Sequence, residues 1–446
     1  MNLHHMLERR ADEGRPVRVG LIGAGKFGSM FLAQTRDARG LHLLGIADLD
    51  PQRAVAALDA TEWPRSRRDA ADFTQALESG RTHVTDDVDA LVGAAGVEVI
   101  VDATGNPRAG IRHARLCRQH GRHLVMVNVE ADALAGPLLA REARAADLVY
   151  SLAYGDQPAL ICEMVDWARA CGFAVAAAGK GTKYLDAYRD STPDTVWEHY
   201  GLSQAKAEAG GMNRQMFNSF LDGTKSAIEM AAVANATGLL AAPGGLAFPP
   251  IGTADLAEAL GPPDDRSAPR GRVEVVSSLH RDGRPVDNDL RWGVFVVFEA
   301  TSDYTARCFG EYGLPTDATG RFAALYRPHH LIGLELVVSV ASAALRGEPT
   351  GSATGFRADV VAEAKCDLAP GRTLDGEGGY TVRGRLSPGA DSLAAGALPL
   401  GLTHGARMKR PVPAGAPLRW SDVEIDENDE AVLARRQMER VDAKPL

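Results

Sequence analysis

Short apolar runs alternate with stretches of helical periodicity over the first third of this chain. Residues 3–13 have the pattern of a short amphipathic helix and precede the first run. The apolar runs have the length and β-branched content of buried strands, and they lie at 16–22, 41–47, 97–101, 123–127 and 147–151. Strands that alternate with helices in this way predict an α/β fold with a doubly wound parallel sheet over residues 1–153.

The pattern changes after residue 153. Helical and strand-like segments then follow in an irregular order, and we predict them at 158–171, 173–178, 215–238, 273–277, 293–299 and 331–345. Residues 241–270 are rich in Pro and Gly and predict a loop-rich excursion. Residues 154–350 therefore form a predicted α+β domain that would carry the substrate.

A break rich in Gly, Thr and Ser at 347–355 precedes the last part of the chain. Short strand-like runs separated by Pro-Gly turns follow it, and residues 427–440 have a helical pattern. This predicts a small all-β module with a C-terminal helix at 351–446.

The most specific motif lies between the first two predicted strands. Gly23, Gly25 and Gly28 form a GxGxxG pattern whose intervening residues are Ala24, Lys26 and Phe27. A strand precedes the motif and a helix follows it, which is the context of a dinucleotide-binding turn. The alternative is a βαβ turn without a ligand. The complete context favours a pyrophosphate held at the N-terminus of the helix.

An acidic residue selects between the nicotinamide cofactors. Asp48 closes the second strand, about twenty residues beyond the last glycine, where a carboxylate binds ribose hydroxyls and repels a 2′-phosphate. Arg53 follows within about two helical turns and offsets part of that repulsion. We expect NAD(P), with NAD favoured over NADP.

Four further loops follow predicted strand ends, where an open parallel sheet places its ligands. Their candidate residues are Thr104, Gly105, Asn128 and Glu130 for the cofactor, and Asp156 and Lys180 for the substrate. For each of them the alternative is a turn residue or a helix cap. Lys180 is the best placed, because a lysine between two glycines has little local structural reason.

Residues 215–238 read as a largely apolar helix with a narrow polar seam. Asn218, Asp222, Lys225 and Glu229 fall within about 60° of the helix circumference. Charges on a buried helix must pair with one another or with a ligand, since unpaired burial is costly. The seam therefore predicts the wall of a polar pocket, and a surface ladder of ion pairs is the alternative.

Hydride transfer to a carbonyl requires a proton donor or a positive charge at the oxygen. Lys180 or Lys225 fits that role, with Asp222 and Glu229 tuning the lysine pKa and binding hydroxyl groups. His330, at a predicted helix start, is a candidate acid–base group, a phosphate ligand, or simply a capping or core histidine.

A divalent metal is a further option that the spacing of the carboxylates does not specifically favour. Asp156, Glu130 and Glu229 are the residues that could gather around it. The identity of any metal stays unknown from the sequence.

Composition narrows the class of protein. A net charge of −9 argues against a nucleic-acid partner and against a membrane surface. The five cysteines are scattered without a CxxC pair, the pattern of a reduced, cytoplasmic protein. The first residues lack the apolar core of a signal peptide, and no run has the length of a membrane span.

These motifs together resemble one group of enzymes, the 1-deoxy-D-xylulose-5-phosphate reductoisomerase-like (DRL) oxidoreductases, which are distant cousins of homoserine dehydrogenase. The residues that carry the resemblance are 23–25, 102–105, 127–132, 179–181, 220–238 and 327–331. The C-terminal part resembles a SAF module, a small β-clip, at 368–371, 400–402 and 409–415.

The resemblance implies a cytoplasmic, dimeric or higher homo-oligomeric NAD(P)-dependent oxidoreductase. Its substrate would be a small hydroxylated carbonyl compound, free or phosphorylated. Asp48 departs from the family pattern, because the reductoisomerase-like members use NADPH. Homoserine dehydrogenase-like activity and a non-catalytic dinucleotide-sensing or scaffold role are the alternatives.

The polar seam leads to a first test. Replacing Lys225 by alanine should lower turnover while leaving NAD binding nearly unchanged, because it removes a proposed proton donor and leaves the glycine-rich loop alone. Steady-state rates and calorimetric NAD titrations would measure the two effects. Turnover at the wild-type rate would contradict the seam argument.

Overall fold

The computed structural model describes residues 2–209, 212–261 and 271–442. The chain packs as two compact units. Unit 1 comprises residues 1–160 and 331–354, and unit 2 comprises residues 161–330 and 355–446. The division into three domains at residues 153 and 350 remains a prediction.

The helices of the described residues are, in chain order, α1 Leu3–Asp12, α2 Lys26–Thr35, α3 Pro51–Ala60, α4 Phe73–Ser79, α5 Val88–Gly93, α6 Pro107–Gln119, α7 Val129–Arg144, α8 Gln157–Ala170, α9 Val196–Tyr200, α10 Gln204–Ala209, α11 Arg214–Leu221, α12 Thr224–Thr237, α13 Leu256–Leu260, α14 Asp303–Glu311, α15 Val337–Arg346, α16 Gly389–Ala395 and α17 Glu430–Asp442.

The strands are β1 Val17–Ile22, β2 Leu41–Ala47, β3 His83–Thr85, β4 Val99–Asp102, β5 His123–Met126, β6 Tyr150–Leu152, β7 Ala174–Thr182, β8 Arg272–Ser277, β9 Val294–Glu299, β10 Phe322–Arg327, β11 Ala358–Ala364, β12 Val382–Pro388, β13 Arg407–Met408 and β14 Val423–Glu424.

Unit 1 is built on one six-stranded sheet with the order β3-β2-β1-β4-β5-β6, and all its pairs are parallel. This is the strand order of the dinucleotide-binding doubly wound fold. Strands β2 and β4 are buried along their whole length, as expected for a parallel sheet covered on both faces. The predicted α/β fold class and the parallel sheet are confirmed.

The predicted helix at 331–345 begins later than expected. Residues 331–336 form turns, and α15 starts at Val337. Gly333 has a positive φ of 74°, which interrupts any continuous helix across this segment. The helix α15 then packs on β1, β4, β5 and β6, so this late segment of the chain completes the core of unit 1.

Unit 2 contains a four-stranded sheet with the order β10-β9-β7-β8 and the antiparallel pair β11-β12. Helix α12 packs against β7 and β8 on one side and against β11 and β12 on another. Eleven of its fourteen residues are buried. It is a helix covered nearly all round, which explains its apolar sequence.

Two predicted boundaries in unit 2 are wrong. The strand predicted at 173–178 continues to Thr182, so Lys180 lies within β7 and not in a loop. The single helix predicted over 215–238 is two helices, because Gly223 adopts a φ of 86° between α11 and α12. Glycines lie at both wrong boundaries: Gly179 and Gly181 flank Lys180 within β7, and Gly223 separates α11 from α12. Helix α14 and strand β10 were not predicted.

A buried ion pair anchors the last helix to the C-terminal strands. The Arg435 guanidinium donates to both carboxylate oxygens of Asp359, with N–O distances of 2.9 and 2.6 Å. Both side chains are almost inaccessible to solvent. The predicted C-terminal helix is thus confirmed as α17, and the SAF resemblance of the region before it stays a prediction.

Two sequence predictions can be compared only with the residues that the structure describes. Part of the loop-rich excursion predicted at 241–270 falls on residues 262–270, which lie outside them. Among the described residues, no helix combines the length and the apolar content needed to cross a bilayer.

A carboxyl group is buried inside unit 1. Asp132 on α7 is inaccessible to solvent, and the Tyr150 hydroxyl donates to its Oδ1 over 3.0 Å. Burial disfavours the charged form and raises the pKa of Asp132 to about 7, while the Tyr150 hydrogen bond opposes the rise. The folded protein therefore holds a proton on Asp132 at pH values where the unfolded chain has lost it.

Asp132→Asn should consequently stabilise the protein in a pH-dependent way. The folded-state pKa is raised, so the neutral acid stabilises the fold fully below about pH 4, and this contribution is lost as the pH rises to about 7. We expect the variant to match the wild type at pH 4 and to gain on the order of 2–4 kcal/mol at pH 8.

Urea unfolding at several pH values would measure this free-energy difference. Glu78→Gln, which neutralises an exposed carboxylate of the same unit, is the matched control. An Asp132→Asn gain that is independent of pH would contradict the assignment.

Candidate functional site

The glycine-rich turn joins β1 to α2 with three glycines in different roles. Gly23 has a φ of 92°, and an added Cβ would lie 2.9 Å from the Ala103 carbonyl oxygen. A Cβ on Gly28 would overlap the carbonyl oxygen of Gly23. A Cβ added to Gly25 would have no neighbouring atom within 4 Å. Two glycines thus allow close packing, and the third leaves open space at the N-terminus of α2.

Open space at Gly25 is what a pyrophosphate needs. Gly25 is the N-cap of α2, whose first-turn N–H groups lack partners within the helix. Ala24 is buried beneath the turn, Phe27 is partly buried against the core of unit 1, and Lys26 is exposed. The residues therefore fit a dinucleotide phosphate.

Asp48 is bound to the same turn. Its Oδ2 accepts a hydrogen bond from the Ala24 amide over 2.8 Å, and its Oδ1 accepts one from the Asp50 amide over 2.9 Å. Only 6% of Asp48 is exposed, and Arg53 Nη1 lies 3.8 Å from its Oδ1. The carboxylate thus fixes the turn and presents a negative charge beside it.

A second buried carboxylate organises the loop after β4. Asp102 Oδ1 accepts hydrogen bonds from the amide and the hydroxyl of Thr104, over 2.9 and 2.7 Å. His113 Nδ1 lies 2.7 Å from Oδ2 on the other side. Because β1 and β4 are parallel neighbours, this loop lies at the same sheet edge as the glycine-rich turn.

Asn128 connects that loop to the end of β5. Its Nδ2 donates to Thr104 Oγ1 over 3.1 Å and to the Asn106 carbonyl over 2.7 Å. Its Oδ1 accepts from the Ala131 amide and caps α7, whose first turn contains Glu130. Gly105 has a φ of 65°, as the turn between these contacts requires. The predicted cofactor residues thus meet at one edge of the sheet.

Asp156 lies at the start of α8, in unit 1. It is 6% exposed, and its Oδ1 accepts a hydrogen bond from the Gln157 amide over 2.9 Å. The adjacent Gly155, with a φ of 93°, packs against Glu335. Part of the role of Asp156 is therefore that of a helix-start residue, the alternative considered from the sequence.

In unit 2, Lys180 and Glu229 form a buried ion pair. Lys180 Nζ on β7 donates to Glu229 Oε2 on α12, and the two side chains are 5% and 4% exposed. Gly179 and Gly181 flank the lysine because the backbone carbonyls of Glu274 and Leu290 would overlap any Cβ there. The sequence analysis singled out both residues, and the structure brings them together.

Asp222 pairs with a lysine from the C-terminal part of unit 2. Lys365 Nζ lies 2.6 Å from Asp222 Oδ2, and both side chains are almost completely buried. Burial raises the pKa of Asp222, and the Lys365 ammonium opposes that rise. Asp222 Oδ1 accepts a hydrogen bond from the amide of Thr224, the first residue of α12.

The predicted polar seam is wrong in its geometry, because its residues lie on two helices, and its role as the wall of a substrate pocket stays a prediction. Asn218 lies on α11, where it bonds Ser191 and the Gly378 carbonyl. Lys225 lies at the first turn of α12 and is half-buried. Each carboxylate of the seam pairs with a lysine from outside the two helices.

His330 is not at a helix start. It precedes the turns at 331–336, and its Nδ1 lies 2.6 Å from the Trp292 carbonyl oxygen. The sequence suggested a helix because apolar residues follow at helical spacing, but Gly333 delays that helix to Val337.

Sequence reasoning missed Lys365. A lysine directly after the apolar run 358–364 is the signal that could have drawn attention to it. Lys183 is a second case. Partial burial and the nearby Arg291 lower its pKa, and its Nζ donates to the His199 carbonyl over 2.6 Å.

Within residues 2–209, 212–261 and 271–442, no three His, Cys, Asp or Glu side chains form a group that could hold a metal ion.

The comparison with protein families gives one match. Residues 155–336 match the model described as "Oxidoreductase DRL, catalytic domain". This segment is similar to that oxidoreductase catalytic domain. The match confirms the resemblance predicted from the motifs, over less than half of the chain. No curated protein sequence matches the chain.

Several solved structures have partial and remote similarity to this chain. Biliverdin reductase from Synechocystis sp. PCC 6803 has 16% identity and a TM-score of 0.27, over 38% of this chain and 48% of its own. Scyllo-inositol dehydrogenase from Lactobacillus casei has 14% identity and a TM-score of 0.26, over 39% of this chain and 46% of its own. Levoglucosan dehydrogenase has 13% identity and a TM-score of 0.30 over 70% and 66%.

The matched part thus spans about half the length of the first two of these proteins. Similarity at these TM-scores carries no functional inference.

The Lys180–Glu229 pair yields a test that separates structure from chemistry. Lys180→Met alone leaves a buried carboxylate without its lysine and should destabilise the protein by about 3–5 kcal/mol. The double variant Lys180→Met with Glu229→Gln removes both charges and should regain most of that stability. Turnover should stay lost in both, because the proposed proton donor is absent.

Guanidinium unfolding and steady-state rates would measure the two properties. The single variant Glu229→Gln completes the cycle. A stable double variant with wild-type turnover would show that the pair is only structural.

Proposed function

We propose that this protein is an NAD(P)-dependent oxidoreductase that transfers a hydride to or from a small hydroxylated, sugar-like carbonyl compound, free or phosphorylated. The observation that carries the proposal is the open position at Gly25, at the N-terminus of a helix in a sheet with dinucleotide-binding strand order. The match of residues 155–336 to an oxidoreductase catalytic domain supports the same class of reaction.

The cofactor would be held by backbone groups. The amides at the start of α2 would bind the pyrophosphate, since that helix end carries the positive pole of the helix dipole. The loop around Thr104 and Gly105, fixed by Asp102 and Asn128, would hold the nicotinamide half. A bound nicotinamide supplies or accepts the hydride.

NAD is the preferred cofactor in this proposal. Asp48 is buried beside the turn and would accept hydrogen bonds from ribose hydroxyls, whereas a 2′-phosphate would meet its charge. Arg53 Nη1, 3.8 Å from that carboxylate, reduces the discrimination and keeps NADP as a weaker alternative.

Lys180 is the proposed proton donor. Reduction of a carbonyl adds a hydride to carbon and a proton to oxygen, and a buried ammonium stabilises the charge that develops on that oxygen. Glu229 would orient the lysine, and in the reverse direction the neutral lysine amine would take the proton from the substrate hydroxyl. Lys225 remains the alternative proton donor, and Asp222, Asp156 and His330 remain proposed substrate contacts.

The assembly and location proposed here follow from the resemblance alone. We propose a homodimer or higher homo-oligomer that is located in the cytoplasm and acts on a small-molecule substrate.

A cofactor-reduction screen tests the proposal. The purified chain would be assayed with NAD and NADP side by side against polyols, hydroxy acids, their phosphates and homoserine. Turnover of a sugar-like compound supports the proposal, and turnover of homoserine alone replaces it with the homoserine dehydrogenase alternative. Calorimetric binding of NAD without any redox change would favour the sensing role, and the absence of any binding would reject the proposal.

A pair of glycine substitutions tests the cofactor site itself. Gly25→Val should leave the melting temperature nearly unchanged, because its φ is −72° and no atom is near its Cβ. It should weaken NAD binding by about tenfold or more, because the side chain occupies the space of the pyrophosphate.

Gly28→Val is the matched comparison and should destabilise the fold, since its Cβ meets the Gly23 carbonyl. Calorimetry and thermal unfolding separate the two effects. Unchanged NAD affinity in Gly25→Val would contradict the site.

A further inference from the structure

Unit 2 contains a polar cavity lined by one proposed substrate contact, Asp222, and by charged groups to which the proposed hydride transfer assigns no role. Its volume is about 560 Å³. Its walls come from two parts of the chain, the segment 184–248 and the strands β11 and β12 with the turn at 414–415. The charged side chains that line it are Arg189, Asp190, Asp222, Glu363, Lys365, Arg383 and Arg385.

Two arginines share one carboxylate on this wall. Arg383 and Arg385 alternate along β12 and therefore point to the same face, and Arg383 is directly opposite Glu363 on β11. The Arg383 guanidinium donates to Glu363 Oε1. Arg385 Nε lies 3.1 Å from Glu363 Oε2 but is not aligned for a hydrogen bond, and that nitrogen is buried. The cluster carries one positive charge in excess.

The remaining carboxylates do not remove that excess. Asp222 is neutralised by Lys365, 2.6 Å away. Arg189 brings another positive charge and hydrogen-bonds Tyr184, while Asp190 lies exposed on the same rim. The Arg385 side chain is 34% exposed, and the positive charge in excess on this wall favours an anionic ligand in the cavity.

Two aromatic rings also line the cavity. Tyr184 and Phe248 stack with ring centroids 3.9 Å apart and an interplanar angle of 17°, and both line the cavity. Gly223 lies against both rings. The volume exceeds that of a single inorganic anion, and the ring surface suits the C–H face of a small organic body.

We propose that this cavity binds a small organic metabolite through its phosphate or carboxylate group, with Arg385, Arg383 and Arg189 as the anion contacts. The aromatic pair would hold the body of the ligand. The proposal assigns a binding role to the C-terminal strands, and it does not depend on the nicotinamide site.

The test measures anion binding to the full chain without any nicotinamide. Inorganic phosphate and malonate are the two probes, and isothermal calorimetry is the measurement. Arg385→Gln is the decisive variant, because Glu363 keeps Arg383 as its partner and no buried carboxylate is left alone. We expect it to weaken binding of the preferred probe by about tenfold or more. The probe that binds more tightly identifies the group as phosphate or carboxylate.

Two further variants make the result decisive. Arg189→Gln removes an exposed cavity arginine without touching the buried pair and should also weaken binding. Arg410→Gln removes the same charge from an exposed position of the C-terminal segment outside the cavity lining, and should bind as the wild type does.

If neither probe binds, or if Arg385→Gln and Arg189→Gln both bind as Arg410→Gln does, the proposal is overturned. Because no cofactor is present, that result would leave the proposed hydride transfer untouched.

Discussion

Charge neutralisation around helix α12 is the constraint on which unit 2 depends. The helix is covered by sheet β10-β9-β7-β8 on one side and by the pair β11-β12 on another, so its acidic groups are withdrawn from water. Glu229 is balanced by Lys180 from β7, and Asp222, just before the helix, by Lys365 after β11. Removing either lysine would leave a buried carboxylate, at a cost of several kcal/mol. The same arrangement that permits burial places ammonium groups in a low-dielectric interior, where electrostatic interactions are stronger than in water.

In unit 1, buried carboxylates hold the turns at one sheet edge in fixed positions. They do this by accepting backbone hydrogen bonds. Asp48 holds the Ala24 amide, and Asp102 holds Thr104, while Asn128 ties that loop to the end of β5. Rigid loops lose little conformational freedom when a ligand binds, so more of the interaction energy is available for binding. The open position beside Gly25 then stands out, because the other two glycines of the motif are closely packed.

Much of the fold and part of the site were readable from residue patterns. The parallel sheet followed from apolar runs of strand length, and Lys180 and Glu229 were both singled out. Other assignments failed for identifiable reasons. The positive φ of Gly223 divides a helix whose apolar periodicity is continuous, and Gly333 delays another. Lys180 was placed in a loop because Gly179 and Gly181 resemble a turn. Their actual cause is the close approach of two neighbouring backbones, which has no local signature.

The sequence by itself determined the α/β character of the first part, the glycine-rich turn with its acid, and the need to pair the charges at 222 and 229. Periodicity and spacing are local properties, and the cost of burying a charge holds in any fold. Only the tertiary structure decided which lysines do the pairing, and that segment 331–354 completes the core of unit 1. It also decided that Arg383 and Arg385 surround a single carboxylate beside an aromatic wall. Partners more than a hundred residues apart, such as Asp222 and Lys365, come into contact only when the strands have paired in the folded protein.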